Sequence, residues 1–345
     1  MKVIQVVKRF GLCGGMEEYV FRLTEELSKM GIKVKVLCEV QITKTQHQVE
    51  VIELGCSIKK PRWLSHLQFS KKVSKWVKHY AEKQEIIHSH ERISCHHVTT
   101  IHSTLFNFPK KGLPSFRKQM NEYLEKREVN CDSVCKIVPV SFLISNEITE
   151  KFNISGSKLA CPISPGVSEI KVKRKKFDPR KPIIGFMGKE WKRKGLPKVI
   201  QIWREIRKQV SEVELCLAGF SNRLKLGLSE SELNSVQVLG YVENKATFFS
   251  KIDILLHPAN KEAYGMVIAE ATSIGIPVVV SDECGAAVDI NFQPKKVHRL
   301  DAPLREWTCS ILELFTFCSA KDTFKKPRSW RMCAENYKIV YDNIK

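Results

Sequence analysis

Short apolar runs alternate along this chain with longer stretches in which apolar residues recur at helical spacing. Residues 2–7, 33–40, 49–54, 86–90, 98–102 and 137–141 read as strands, rich in Val, Ile and Thr. Between them, residues 16–30 put Tyr19, Val20, Leu23 and Leu27 on one side of a helix, and residues 69–83 do the same with Val73, Trp76, Val77 and Tyr80. Residues 142–152 read as a further helix. A second series begins at 183, with strands at 183–187, 215–218, 236–239, 252–256, 278–280 and 297–300. Its helices run through Val199, Ile202, Trp203 and Ile206, then over 265–273, 308–317 and 330–344, while 284–290 reads as a loop and short turn. Strand and helix alternation, met twice, predicts an α/β chain of two doubly wound, Rossmann-like domains with parallel sheets. The charged, Pro-containing run 171–182 has no hydrophobic period and reads as the linker between them.

The most informative stretch is 253–282, DILLHPANKEAYGMVIAEATSIGIPVVVSD, a strand, loop, helix and strand. The first turn of its helix, at Tyr264, Gly265, Met266 and Val267, offers unpaired N–H groups and a positive dipole end, which suit a diphosphate. Glu270, further into the helix, is placed to accept from a ribose diol, and Glu262, before the helix, is free to bind what hangs from the phosphates. Two solvated carboxylates on a surface helix would look the same in isolation; the position at the end of a buried-looking strand favours a ligand. Arg193 and Lys194 follow Gly188 directly after another strand, in GKEWKRKG, where two cations can neutralise a diphosphate. At the start of the chain a strand, Gly11, Gly14, Gly15 and a helix form another ligand loop, without the G-x-G-x-x-G spacing of a nicotinamide site. His102 ends the strand at 98–102 and is placed as an orienting donor or proton handler.

Composition narrows the class. The 345 residues, 43% hydrophobic and 27% charged, suffice for two globular domains. No apolar run approaches the roughly 18 residues that span a bilayer, and MKVIQVVKRF has too short an apolar core for a signal peptide, so a cytoplasmic protein is expected. The 12 cysteines are scattered, and those in apolar surroundings, such as Cys38, Cys216 and Cys309, are expected to be buried thiols. Cys95, His96, His97, Cys131 and Cys135 contain no C-x-x-C pair, so no metal site is expected. The net charge of +20 gathers at 59–83, 110–127 and 171–181. These clusters lack the aromatic platform of a single-strand binder, so nucleic acid is not expected, which leaves an anionic membrane surface, phosphorylated lipid acceptors, or simple solvation.

The wording LLHPANKEAYGMVIAEA resembles the signature of the retaining, GT-B-fold glycosyltransferases of the family-4 type, and is similar to lipopolysaccharide core glucosyltransferases. GGMEEYVFRLTEELSKMGIKVKVL, TTIHST, the G-x(4)-R-K-G pattern at Gly188 to Gly195, and Gly240, Tyr241 and Val242 resemble further parts of that family. The resemblance implies an acceptor-side domain over 1–168, a linker over 169–182, a nucleotide-sugar domain over 183–325, and a helix over 326–345 returning to the first domain, with a cleft between domains. It implies that Glu262 holds the donor sugar, Glu270 the ribose, Arg193 and Lys194 the phosphates, and His102 faces the sugar. Gly14 and Gly15 carry over as loop positions, and the main chain at Tyr241 and Val242 as the base contact. The implied reaction moves a hexose, such as glucose, from a nucleoside diphosphate, UDP foremost, to a hydroxyl of a glycan or glycolipid such as lipopolysaccharide core. No cofactor is implied, and with no Asp-x-Asp motif the transfer is expected to be metal-independent. An epimerase or phosphorylase of the same fold, or a non-catalytic basic surface-binding protein, stays open as an alternative. The basic segment from Phe106 to Val129 resembles the family's membrane-touching segment in composition.

Overall fold

A computed structural model describes residues 1–105, 115–221, 226–289, 295–317 and 328–344. The chain forms two compact units, one of Met1–Gly166 with Arg328–Lys345, the other of Val167–Pro327.

The first unit contains β1 (Lys2–Val6), β2 (Arg9–Phe10), α1 (Gly15–Lys29), β3 (Lys33–Cys38), β4 (Val40–Gln41), β5 (Val49–Glu53), α2 (Arg62–Tyr80), β6 (Glu85–Ser89), β7 (Val98–Ile101), α3 (Phe116–Val129), β8 (Lys136–Pro139) and α4 (Phe142–Lys151). Six strands make a parallel sheet in the order β5-β3-β1-β6-β7-β8, with β2 and β4 paired apart from it. Alternation along β1 and its neighbours serves two buried faces. Ile4, Val6, Leu37 and Ile87 pack on Phe69 and Val73 of α2, whereas Val7, Val36 and Cys38 pack with Val20 and Phe21 of α1. Strand order reverses at the β1–β6 boundary, so the loops after these strands flank the switch point where open α/β sheets bind ligands.

The second unit repeats the plan with β9 (Ile183–Met187), α5 (Leu196–Arg207), β10 (Glu214–Ala218), α6 (Glu230–Leu233), β11 (Val236–Gly240), α7 (Lys245–Phe249), β12 (Ile254–His257), α8 (Met266–Ser273), β13 (Val278–Ser281), α9 (Gly285–Asp289), β14 (Lys295–His298) and α10 (Leu304–Phe317). Its parallel sheet runs β11-β10-β9-β12-β13-β14, with its switch point between β9 and β12. Trp203 of α5 and Trp307 of α10 are fully buried against Ile184, Phe186 and Leu256. Burying a large apolar side chain is worth about 1.5–3 kcal/mol, so these two helices hold one face of the sheet. Residues 171–178 form no helix or strand, yet they are bound to this unit. Arg174 donates to the Gly275 carbonyl at 2.9 Å, Lys175 lies 3.0 Å from Asp253, and Phe177 stacks on Phe315 at 6.1 Å.

The last helix, α11 (Trp330–Asp342), belongs to the first unit. It lies against α1, with the Trp330 and Tyr337 rings edge-on to Tyr19 at 5.5 and 6.3 Å. Gly166 permits that approach, since a Cβ there would fall 2.5 Å from the Trp330 nitrogen.

Three local expectations are corrected. Helix α2 starts at Arg62, not at 69, because its first turns bury polar Ser65 and half-bury His66, hiding the apolar period. Residues 284–290 contain α9 instead of only a loop and turn. Cys309 is exposed, because a residue two positions after the buried Trp307 lies more than half a turn around α10. Every cysteine among the described residues is a free thiol, and burial pushes Cys38 and Cys216 up to about 12. Among the described residues no helix is long and apolar enough to cross a membrane. Part of the basic segment from Phe106 to Val129, residues 106–114, lies outside the described residues.

Candidate active site

The second unit assembles its site from the two loops at its switch point. After β9 the chain passes Gly188 and turns through Lys189–Arg193, which line a cavity of about 550 Å³. The Lys194 stem lies over Gly188, where a Cβ would be 2.4 Å from Lys194 Cδ. Gly195 then enters α5 with φ +86, and a Cβ on it would sit 1.9 Å from the Pro258 carbonyl oxygen of the second loop. That close approach, open only to glycine, joins the loops, and the Asn260 amide donates to the Arg193 carbonyl at 2.8 Å.

The two cations therefore meet Glu262. Arg193 Nη1 lies 3.3 Å and Lys194 Nζ 3.2 Å from Glu262 Oε2, and Arg193 also bonds Glu190 and the Lys261 carbonyl. Burial works against the Arg193 charge, but the Glu262 and Glu190 carboxylates raise its pKa above the ordinary value, so the guanidinium stays charged. Glu262 leads directly to α8. Its backbone exchanges hydrogen bonds with the Glu283–Gly285 turn, 2.9 Å to the Glu283 oxygen and 3.0 Å from the Gly285 nitrogen. A Cβ on Gly265, the N-cap of α8, would be 3.4 Å from Glu262 Cγ. Gly265 has φ +100 and offers no side-chain cap, so the first-turn amides, beginning at Met266 and Val267, suit an external acceptor. Tyr264 is buried and fixed through its carbonyl, which accepts from Ala286 at 2.8 Å. The Arg193–Lys194 cations, the Glu262 carboxylate and the α8 amide end thus adjoin one another. Such an array binds an anion with several oxygens and keeps one carboxylate beside it for hydroxyl groups.

Glu270, on α8, is buried and paired with Lys245 of α7. A buried carboxylate needs such a partner to remain ionised, and ionised it accepts from hydroxyls. Tyr241 is 65% exposed, and Lys189 Nζ stands 4.6 Å from its ring centre, so this turn presents an aromatic face beside the β9 loop. Val242, next to it, is half-buried. Behind the cations, burial together with the Lys194 and Arg193 charges pushes His257 well below the ordinary imidazole range. Lys245, Glu190 and His257 were not singled out from the sequence, although Glu190 and His257 lie inside the GKEWKRKG and LLHPANKEAYGMVIAEA stretches.

Gly14, Gly15 and His102 lie in the first unit. Gly14 is the N-cap of α1, and a Cβ on it would meet Glu17 Oε2 at 2.3 Å. Glu17 is held by Arg9, and with Glu18 it makes the first turn of α1 acidic, which lessens its pull on an anion. Gly15 is exposed with open space around it. One turn on, Tyr19 packs edge-on against His102 at 4.7 Å, so α1 brings the glycine loop towards the His102 strand end. Burial lowers His102 to about 3, and its Nε2 is 2.8 Å from His90 Nδ1. Cys131 Sγ lies 3.7 Å from His96 Nε2, but among the described residues no group of three His, Cys, Asp or Glu is placed to hold a metal ion.

Two parallel-sheet Rossmann-like units, each with its loops gathered at a switch point, are the units of the GT-B fold. The family models agree: residues 13–168 match Glycosyltransferase Family 4 and residues 167–292 match Glycosyl transferases group 1. The chain belongs to the family-4-type glycosyltransferases of the GT-B fold. A Staphylococcus aureus relative, the capsular polysaccharide biosynthesis glycosyltransferase CapM, is 26% identical over 158 residues, which is 44% of this chain and only 38% of that relative's length. Among solved structures, WaaG, a glycosyltransferase involved in lipopolysaccharide biosynthesis, superposes with TM-score 0.75 at 16% identity, covering 99% of this chain and 95% of that one. The Anabaena protein HepE, solved with UDP and glucose, gives TM-score 0.60 at 15% identity, covering 99% of this chain and 95% of that one.

Proposed function

We propose that this chain is a retaining hexosyltransferase that moves a sugar from a nucleoside diphosphate, UDP in the first instance, to a hydroxyl of a glycan or glycolipid in surface polysaccharide synthesis. The observation that carries it is the convergence of Arg193, Lys194 and Glu262 on the uncapped start of α8. Breaking the anomeric C–O bond develops negative charge on the diphosphate, which the two cations and the α8 amides at Gly265, Met266 and Val267 stabilise. The acceptor oxygen forms the new anomeric bond, and its proton passes to a phosphate oxygen of the leaving group. Glu262, released from its cations as the diphosphate takes them, turns to the sugar hydroxyls. Glu270 holds the ribose, the Tyr241–Val242 turn faces the base, His102 faces the sugar, and Gly14 and Gly15 let the donor approach α1. With two cations and a helix end on the phosphates, transfer needs no divalent metal, and EDTA is expected to leave turnover unchanged.

The cytoplasm, where nucleotide sugars are made, is the expected compartment, with a peripheral contact to anionic membrane through the basic face of α2. A thermal-shift panel of nucleoside diphosphate sugars tests the reading. At about 100 times its dissociation constant the true donor stabilises the chain by roughly 2.7 kcal/mol. If no nucleotide sugar raises the melting temperature, the proposal fails; turnover of donor without any acceptor would indicate an epimerase instead.

A further inference from the structure

The first unit contains a buried chain of hydrogen bonds that starts at a main-chain carbonyl and ends at His102. Tyr19 Oη is 3.0 Å from the Ile163 carbonyl oxygen, Tyr337 Oη is 2.8 Å from Tyr19 Oη, and Thr100 Oγ1 is 2.7 Å from Tyr337 Oη. His88 joins Thr100 through Nε2 and Tyr341 Oη through Nδ1, both at 2.7 Å. Gln5 Nε2 lies 3.2 Å from Tyr341 Oη, Gln5 Oε1 is 2.7 Å from His90 Nε2, and His90 Nδ1 is 2.8 Å from His102 Nε2. The linking side chains are all buried and come from α1, β1, β6 and the residue after it, β7 and α11.

A carbonyl only accepts, and each hydroxyl has one proton to give. Tyr19 must therefore donate to Ile163, which makes it the acceptor for Tyr337, and the same reasoning carries along the chain. Thr100 donates to Tyr337, His88 donates from Nε2 to Thr100, and Tyr341 donates to His88 Nδ1. Gln5 then donates its amide to Tyr341, His90 donates from Nε2 to the Gln5 oxygen, and His102 donates from Nε2 to His90 Nδ1. Each ring has only one proton to place, because burial keeps His88, His90 and His102 neutral near pH 7. What remains at the strand end is His102 Nδ1 with its lone pair.

We propose that this relay, anchored on the Ile163 carbonyl, locks His102 as its Nε2–H tautomer, with Gln5, Tyr337 and Tyr341 as positioning residues that keep Nδ1 an acceptor. The proposal rests on the transferase reading and sharpens it. An acceptor cannot pair with phosphate oxygens, which at neutral pH are acceptors themselves, so on the transferase reading, in which His102 faces the sugar, the group it receives is a hydroxyl of the transferred sugar. His102 is thus an orienting acceptor, and not the donor that its position at the strand end suggested.

The test is nitrogen NMR of the full chain labelled at histidine, with the His102 signals assigned by their loss in His102→Asn. The expected spectrum has a protonated, pyrrole-like Nε2 and a bare, pyridine-like Nδ1. UDP-glucose is expected to move the Nδ1 signal, and UDP alone to leave it. Tyr341→Phe, which keeps the ring and removes one link, and Gln5→Leu, which removes another, should each give mixed tautomer signals. Each should also lower kcat about tenfold with the donor KM within about twofold, the pattern of an interaction made in the transition state; circular dichroism confirms that the variants fold. A wild-type His102 carrying its proton on Nδ1 overturns the tautomer, whether or not the chain turns over a donor. The assigned tautomer with kcat unchanged in both variants overturns the positioning role. Failure of the transferase reading is separately visible as no stabilisation and no turnover with any nucleoside diphosphate sugar, and takes the positioning role with it.

Discussion

Glu262 holds two cations that the proposed reaction needs for phosphate, so its charge has opposite effects on nucleotide and on sugar. Glu262→Gln removes the internal counterion of Arg193 and Lys194 while keeping the side-chain length. Calorimetry with UDP is expected to show equal or tighter binding, while kcat falls about 100-fold or more, the range for losing one preorganised polar contact in a transition state. Weaker UDP binding in this variant would mean that the carboxylate supports the phosphate site instead of competing for it. The residues of this cluster were legible because motif spacing marks them after predicted strands. Their partners were not. Glu190 reaches Arg193 locally, three residues away in the same turn, but Lys245 reaches Glu270 through tertiary placement, and nothing in the residues around Lys245 announces a buried carboxylate. The polar chain behind His102 was still less legible, since Gln5, Thr100 and Tyr341 lie far apart in sequence and each reads locally as an ordinary strand or helix residue.

Helix α8 depends on a left-handed residue at its entry, and this is the element most open to a single-atom test. Gly265→Ala puts a Cβ 2.9 Å from Ile268 Cδ1 on a backbone with φ +100. The left-handed conformation alone costs a non-glycine residue about 1–2 kcal/mol. The variant should lose about that much stability, melt at a lower temperature and bind UDP more weakly, because the amides it displaces are those offered to phosphate. An unchanged melting temperature would show that the turn relaxes freely. The strand, loop, helix and strand from β12 to β13 were readable because each piece has a clear period and is bounded by Gly265, Gly275 and Pro277. The start of α2 was not, since polar side chains buried by tertiary contacts, such as Ser65 bonded to Lys8 at 2.5 Å, carry no hydrophobic signal.

For the whole molecule, the buried histidines set the response to acid. Burial lowers His88, His90 and His257 well below the usual imidazole range, His96 to about 4 and His102 to about 3, whereas an unfolded histidine titrates near 6.5. Between those values the unfolded chain binds more protons, so stability is full above about pH 6.5 and is lost as pH falls. Glu128 opposes this: burial raises it to about 7, so its contribution shrinks as pH rises from about 4.5 to 7. His97 and His298 are lowered by burial as well, and together the histidines outweigh Glu128 and the burial-raised Asp253, so the melting temperature should drop steadily from pH 7.5 to 5. A flat or rising profile would mean that the imidazoles are hydrated. The two parallel sheets were legible from the repeated alternation alone, whereas the +20 charge gives no direction of its own and speaks to solubility and partners more than to fold.

The first unit is closed by α11, which the ribosome makes only after every residue of the second unit. Until that helix emerges, Tyr19, His88 and Thr100 lack the phenols that pair with them, and the nascent first sheet has a wet polar seam where the finished protein has a dry one. The second unit is continuous in sequence and has all of its residues before α11 is made, so it can close while the first unit still waits for its last helix.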